Sequence, residues 1–286
     1  MRRSAIFLLT FTTLASGSSG NAALVSCGST HILLDAGISA RRITTGLKAL
    51  GVDPSRLTAI LVTHEHHDHI SGLAVLTKKI RVPIVSSAPT CRQIAYKVPF
   101  VDDLLRAQEP GTGIQMGALW VESFQTPHDA AGSVGYSLAG DGGRMVLCTD
   151  LGYVTPQVRQ AVQGCDLLVC EANHDEDWVR SGPYPYYLKQ RILGDRGHLS
   201  NEAGAELAAW GVETGVRTVV LAHLSSENNT PAHAREVVCR RLGAMGCDPE
   251  RDVSLSIAPR GDLGPTYRLG REGAVQAFPM RGAVLC

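Results

Sequence analysis

Ala59-Ile60-Leu61-Val62-Thr63-His64-Glu65-His66-His67-Asp68-His69 is the stretch that decides the fold. Its apolar head reads as a strand, and a strand that ends at a sheet edge presents the loop behind it to a cleft. Ser71-Gly72 then permits a turn into a helix-like Leu73–Lys79. His64, His66, Asp68 and His69 put four potential metal ligands within six residues. Imidazole suits zinc, iron and copper, and one carboxylate among histidines is the donor mixture of a hydrolytic zinc site, not of a calcium site. Glu65 and His67 fall at the variable positions of the pattern and are left outside the metal shell. A polar loop with chance histidines is the competing reading, and it weakens as further ligands appear.

Those ligands are His128 after WVESFQTP, Asp150 after MVLCT and His223 after TVVLA. Each terminates an apolar run, so all three can converge on one rim. Taken singly, each would be an ordinary turn or edge residue. Working outward, strand-like runs occur at 5–14, 22–27, 30–35, 58–63, 82–86, 118–125, 133–139, 144–149, 166–171, 217–223 and 252–258. Helical patterns span 39–50, 88–97, 155–163, 200–214 and 230–245, with Gly51, Gly164, Gly215 and Gly246 just past four of the ends. The first half is strand-rich and the second alternates strand and helix, so two sheets with helices outside them fit better than one wound sheet. With no long linker, repeat or low-complexity tract, residues 1–286 read as a single domain.

H-x-H-x-D-H, then a lone His, a lone Asp and a lone His, resembles the metallo-β-lactamase superfamily, and Leu33-Leu34-Asp35-Ala36-Gly37 resembles its first motif. The resemblance implies an α/β (α+β) fold, an αββα sandwich with the site at one edge. It implies that His64, His66 and His128 hold one metal, that Asp68, His69 and His223 hold a second, that Asp150 bridges and that Asp35 supports the metal loops. A closer similarity, to the YycJ or WalJ branch, is carried by Leu14-Ala15-Ser16-Gly17-Ser18-Ser19-Gly20-Asn21, Glu171-Ala172-Asn173-His174-Asp175, Gly182-Pro183-Tyr184-Pro185, Gly197-His198-Leu199-Ser200-Asn201, and His223-Leu224-Ser225 with Asn228-Asn229-Thr230-Pro231. That branch implies phosphodiester hydrolysis by a 5′ to 3′ DNA exonuclease, with DNA as the partner. The extra Met1–Ser4 departs from the branch and points to a displaced start codon.

Two divalent ions ~3.5–4 Å apart, zinc or alternatively manganese, would share a water and lower its pKa to about 7, giving a bridging hydroxide to attack phosphorus. Asp150 would set the metal separation and Asp68 orient the nucleophile. His198 is the candidate proton donor to the leaving oxygen, with a loop histidine near a helix cap at Ser200 or Asn201 as the alternative. Asn173, His174, Ser225 and Asn228 are candidate substrate contacts; for Asn173 and His174 loop stabilisation is the alternative. Lys189 and Arg191 would contact phosphates or else line a solvated helix face, and Tyr184, Tyr186 or Tyr187 would stack on an end base.

Composition leaves other classes open. Hydrophobic residues make up 44% of the 286 and charged residues 19%, an ordinary globular balance. Lys plus Arg and Asp plus Glu both number 27, so no long-range positive field gathers polyanions. A hydrolase of a small phosphodiester or a thioester therefore stays in play, as does a non-catalytic metal-binding regulatory protein. The eight cysteines (Cys27, Cys91, Cys148, Cys165, Cys170, Cys239, Cys247 and Cys286) form no C-x-x-C pair and read as reduced, which favours the cytoplasm. Met1-Arg2-Arg3 before AIFLLTFTTLA has the outline of a secretory signal, but the run is as rich in Ile, Phe and Thr as a first strand and stops at a turn. No stretch approaches the ~18 apolar residues that span a membrane.

Overall fold

A computed structural model describes residues 8–270 and 275–278 of the chain. The elements run β1 (Thr10–Ala15), β2 (Ala22–Cys27), β3 (Thr30–Leu34), α1 (Ala40–Ala49), β4 (Ala59–Leu61), α2 (His67–Ile70), α3 (Leu73–Leu76), β5 (Ile84–Ser86), α4 (Ala88–Lys97), β6 (Leu105–Ala107), β7 (Gly113–Met116), β8 (Leu119–Gln125), β9 (Val134–Gly140) and β10 (Gly143–Cys148). They continue with α5 (Pro156–Val162), β11 (Leu167–Glu171), α6 (Glu176–Ser181), α7 (Tyr186–Leu193), α8 (Asn201–Glu213), β12 (Thr218–Ala222), α9 (Pro231–Ala244), β13 (Ser254–Ile257), β14 (Thr266–Leu269) and β15 (Val275–Phe278).

Among the described residues two sheets form, one ordered β15-β14-β1-β2-β3-β4-β5-β6 and the other β13-β12-β11-β10-β9-β8-β7. Each is antiparallel on one side and parallel on the other: β3, β4, β5 and β6 run together, as do β10, β11, β12 and β13. The central parallel strands are buried on both faces, which is why Leu167–Glu171 and Thr218–Ala222 read as nearly unbroken apolar runs, whereas β6 and β13 at the sheet edges are partly exposed. The inward faces interdigitate through Phe11, Val25, Ile32 and Leu34 from one sheet and Val121, Tyr136, Leu138 and Leu147 from the other. Tyr136 ties the layers together, its hydroxyl donating to the Val62 carbonyl at 2.9 Å. One outer face is covered by α1, α3 and α4, and the other by α5, α8 and α9. This is the αββα order.

Local chemistry sets the helix ends. Ser39, Ser87, Thr155, Ser200 and Thr230 each accept an N–H of the first turn. Gly51, Gly164, Gly215 and Gly246 follow helices at φ +77, +69, +113 and +82, where a side chain would be strained. Six elements had no expectation from sequence, β6, β7, β14, β15, α2 and α6, and α7 entered only as the solvated helix face that Lys189 and Arg191 would line. The reason is plainest for α7, which buries none of its residues and so has no apolar stripe to read. Strand β1 pairs with β2 and β14 and buries Phe11 and Leu14, so cleavage after it would open the core. Residues 1–7, including the charged start of the signal-like segment and the extra Met1–Ser4, lie outside the described residues, as does Cys286.

Candidate metal centre

The C-terminal ends of β3, β4, β8, β10, β11 and β12 meet at one edge of the sandwich, the place where open α/β sheets expose their loops. Three residues there, Asp35, Asp150 and His223, hold left-handed backbone at φ +56, +62 and +58. For residues other than glycine this costs about 1–3 kcal/mol each and persists only where the surroundings hold it. Each turns the chain sharply at the end of a strand. The β4 loop is pressed equally hard: a Cβ on Gly37 would come within 1.5 Å of the Asp68 carbonyl oxygen, so only glycine lets the Asp35 loop pass.

His64, His66, Asp68, His69, His128, Asp150 and His223 are all brought to this edge. Among the described residues, potential ligand atoms within 4.8 Å of one another fall into the groups His64/His66/His128, Asp68/His69/His223 and His64/His69/Asp150. Three of the histidines are held by their far nitrogens. His69 donates from Nδ1 to Asp35 at 2.8 Å, His128 to the Gly197 carbonyl at 2.9 Å and His223 to Glu171 at 2.9 Å. An acceptor at Nδ1 fixes the tautomer and leaves the Nε2 lone pair facing inward. Two of the inward atoms, His64 Nε2 and Asp150 Oδ2, are buried with no hydrogen-bond partner. The His66 Nδ1 and His128 Nε2 atoms face each other at 3.3 Å. Orphaned buried lone pairs of nitrogen and carboxylate oxygen are what a bound cation satisfies, so the donor set fits metal ions.

The electrostatics agree. Burial opposes charge on His223, but Asp150, Asp68 and Glu171 overcome it and push the imidazole up to about 10. His69 is likewise raised, against its burial, by Asp35, Asp150 and Asp68. His64, buried among the rings of His69, His128 and His66, is driven the other way. Asp68, although half-buried, is held well below the usual carboxylate range by His69 and His223. Carboxylates that hold protons on neighbouring imidazoles can hold a divalent cation in their place.

Glu171 was missed by sequence reasoning. It lies within ligand distance of Asp150, His198 and His223. Yet Oε1 accepts from the Nδ1 atoms of His198 (2.8 Å) and His223, and Oε2 from the amides of Leu151 (2.9 Å) and Leu199 (3.1 Å). Its four acceptor positions are spent, so it braces ligands and is not one. Its only signal in sequence was its place at the head of Glu171-Ala172-Asn173-His174-Asp175. Asp129 was missed too: it pairs with Arg191 and its Oδ1 lies 3.3 Å from His128 Nε2.

His198 sits in the cluster, its ring centroid 5.0 Å from that of His128 and 5.2 Å from that of His223. Ser200, not Asn201, caps α8. Of the expected substrate contacts, Asn173, His174, Ser225 and Asn228 are all buried, at 8% exposure or less. Asn173 donates to the His223 carbonyl at 2.7 Å and so holds that left-handed turn. His174 donates to Asn173 at 3.3 Å, and burial lowers it to about 4. Ser225 accepts the amides of Glu227 and Asn228 in a turn, and the Asn228 carbonyl takes the Asp175 amide. Lys189 donates to the Arg180 carbonyl at 2.6 Å, and Arg191 reaches the rim of the cluster through Asp129. Tyr186 and Tyr187 stand exposed on α7. Glu65 bonds to Ala131 and Thr90, and His67 points to solvent, both outside the cluster.

Residues 30–224 match the beta-lactamase superfamily domain. The chain belongs to that superfamily. Within it, the chain is 38% identical over 236 residues to the exodeoxyribonuclease WalJ of Streptococcus pneumoniae, spanning 81% of this chain and 87% of that protein. It is 35% identical over 239 residues to the exodeoxyribonuclease YycJ of Bacillus anthracis, spanning 83% and 90%. The superfamily fold is seen again in the metallo-beta-lactamase fold protein YhfI from Bacillus subtilis, with a TM-score of 0.67 at 16% identity over 90% of this chain and 98% of that one.

Proposed function

We propose that this protein is a two-metal phosphodiesterase acting as a DNA exonuclease. The observation that carries the reading is identity of 35–38% to two exodeoxyribonucleases over more than four-fifths of the chain. His64, His66 and His128 would hold one divalent cation, Asp68, His69 and His223 the other, with Asp150 shared between them. Zinc is the preferred ion on the donor set, with manganese the alternative. When bound, such a pair supplies an acidified water and charge neutralisation for a phosphodiester.

The protein's own groups do the rest. Glu171 takes the Nδ1–H of His198 and leaves Nε2 as the atom that hands a proton to the leaving oxygen. Asp68, partly open to solvent, would align the attacking water. Arg191 at the rim would meet a phosphate by exchanging partners with Asp129. We take the chain as one domain, a reading supported by the core shared between its sheets. A cytoplasmic location draws support from the thiols of Cys148, Cys165 and Cys170, which are packed into apolar core; among the described residues no helix is long and apolar enough to cross a membrane.

The test is incubation of metal-loaded protein with end-labelled DNA and RNA, beside bis(p-nitrophenyl) phosphate and a thioester. Stepwise shortening of DNA is expected. Turnover of the thioester alone would overturn the reading in favour of a small-molecule hydrolase, which the zero net charge also accommodates.

A further inference from the structure

Beside the metal cluster lies a cleft of about 810 Å³ that shares His128 with it and is walled by Thr126, Ser133, Tyr153, Gln157 and Arg196. Its size falls within the range of small-ligand and cofactor sites, roughly 300–1,000 Å³. Both of its distinctive groups hang from loops that also carry the centre. Tyr153 stands three residues after Asp150, and Arg196 two before His198. The walls are locked to one another by main-chain bonds. The Asp129 amide donates to the Arg196 carbonyl at 3.0 Å, and the Gly152 amide to the Pro127 carbonyl at 2.8 Å. A Cβ on Gly152 would come within 2.1 Å of the Asp195 backbone, so glycine is what allows the Tyr153 loop and the Arg196 loop to touch. The cleft is thus built before any ligand arrives.

Its chemistry is uneven in a telling way. Arg196 is exposed and, among the described residues, makes no ion pair. Folding does not use its charge. The Tyr153 ring is half exposed, at 50%. Around them the cleft is lined with hydroxyl and amide side chains and one carboxylate, Asp195. A free guanidinium, a free aromatic face and neutral hydrogen-bonding groups match a phosphate, a base and a sugar.

We infer that this cleft seats a nucleotide of the substrate beside the bond to be cut, its base against Tyr153 and its phosphate at Arg196. The inference rests on the nuclease reading and adds where the strand lies: along the β8, β10 and α7–α8 loops, on the side of the centre marked by His128.

The experiment compares the metal-loaded parent with Tyr153→Ala, Tyr153→Phe and Arg196→Gln on an end-labelled oligonucleotide and on bis(p-nitrophenyl) phosphate, which has no purine or pyrimidine. Calorimetry with deoxyadenosine 5′-monophosphate runs alongside. Tyr153→Ala should raise KM for the oligonucleotide about 5- to 150-fold, the range set by loss of one base–aromatic stack. The effect on bis(p-nitrophenyl) phosphate should be at least about fivefold smaller, and Tyr153→Phe should restore most of the loss, since phenylalanine keeps the ring face. Arg196→Gln should flatten the dependence of log Kd on log salt by about one phosphate's worth. If the parent shortens DNA and none of the variants differs from it, the cleft assignment is overturned while the nuclease reading stands. If the parent cleaves neither DNA nor RNA, the nuclease reading falls separately, and the calorimetry decides the cleft. Binding of the monophosphate that Tyr153→Ala abolishes supports it, and no binding by the parent refutes it.

Discussion

Glu171→Gln should strip the centre of metal while leaving the fold nearly intact. The carboxylate is fully buried and meets four donors, two imidazole N–H groups on one oxygen and two backbone amides on the other. An amide side chain has one acceptor oxygen and one donor nitrogen, so two of the four donors must then face an N–H. The Leu151 and Leu199 amides cannot change, whereas an imidazole can move its proton. The amide nitrogen should therefore turn toward His198 and His223, and both rings should shift to the tautomer that carries its proton on Nε2. For His223 that is the nitrogen 3.4 Å from Asp68 and 3.6 Å from Asp150, the one that faces the cluster. Of the two bonds only the one to His223 supports a metal ligand, and a hydrogen bond to a charged group is worth about 1.5–3 kcal/mol. That corresponds to a loss of roughly 10- to 100-fold in metal affinity, the range that one supporting partner usually contributes. Because the tautomer shift spares the buried amides, melting of the metal-free protein should move by only a few degrees. Elemental analysis after dialysis, melting with and without added zinc, and turnover of bis(p-nitrophenyl) phosphate would be measured together. A Glu171→Gln protein that holds two ions with the parental affinity and rate would refute this account of the residue.

Three further outcomes are expected. Asp150→Ala should lose activity more completely than metal content, because the buried, unpartnered carboxylate oxygen is placed to be shared between two ions; equal rates for variant and parent would sink this. His198→Ala should keep its metal and slow DNA cleavage about 10²–10⁴-fold, with a milder loss on a p-nitrophenolate leaving group, which needs little protonation; loss of metal would make His198 a ligand. Thiol titration of the native protein should find Cys148, Cys165 and Cys170 silent until denaturant is added, since burial raises all three thiols, Cys165 to about 12. Rapid native labelling at any of them would contradict the packing.

The ligand set was legible in the chain because its chemistry is local. Four donors lie within six residues behind one strand, and His128, Asp150 and His223 each close an apolar run, so their positions at strand ends followed from residue type and order alone. The two-sheet architecture was legible in the order of elements, a strand-rich first half followed by a second half that alternates strand and helix. What tertiary structure alone decided is which polar groups meet across the fold. Glu171 reaches His198 and His223 over 27 and 52 residues of chain, and Asn21 reaches His69 over 48. No periodicity encodes such pairings. Burial also separated polar residues that the sequence could not tell apart, taking Asn173 into the interior as a brace for the His223 turn while leaving Arg196 and Tyr153 open beside the centre. A side chain's exposure depends on how layers distant in sequence pack over it, and that is settled only when the two sheets close on each other.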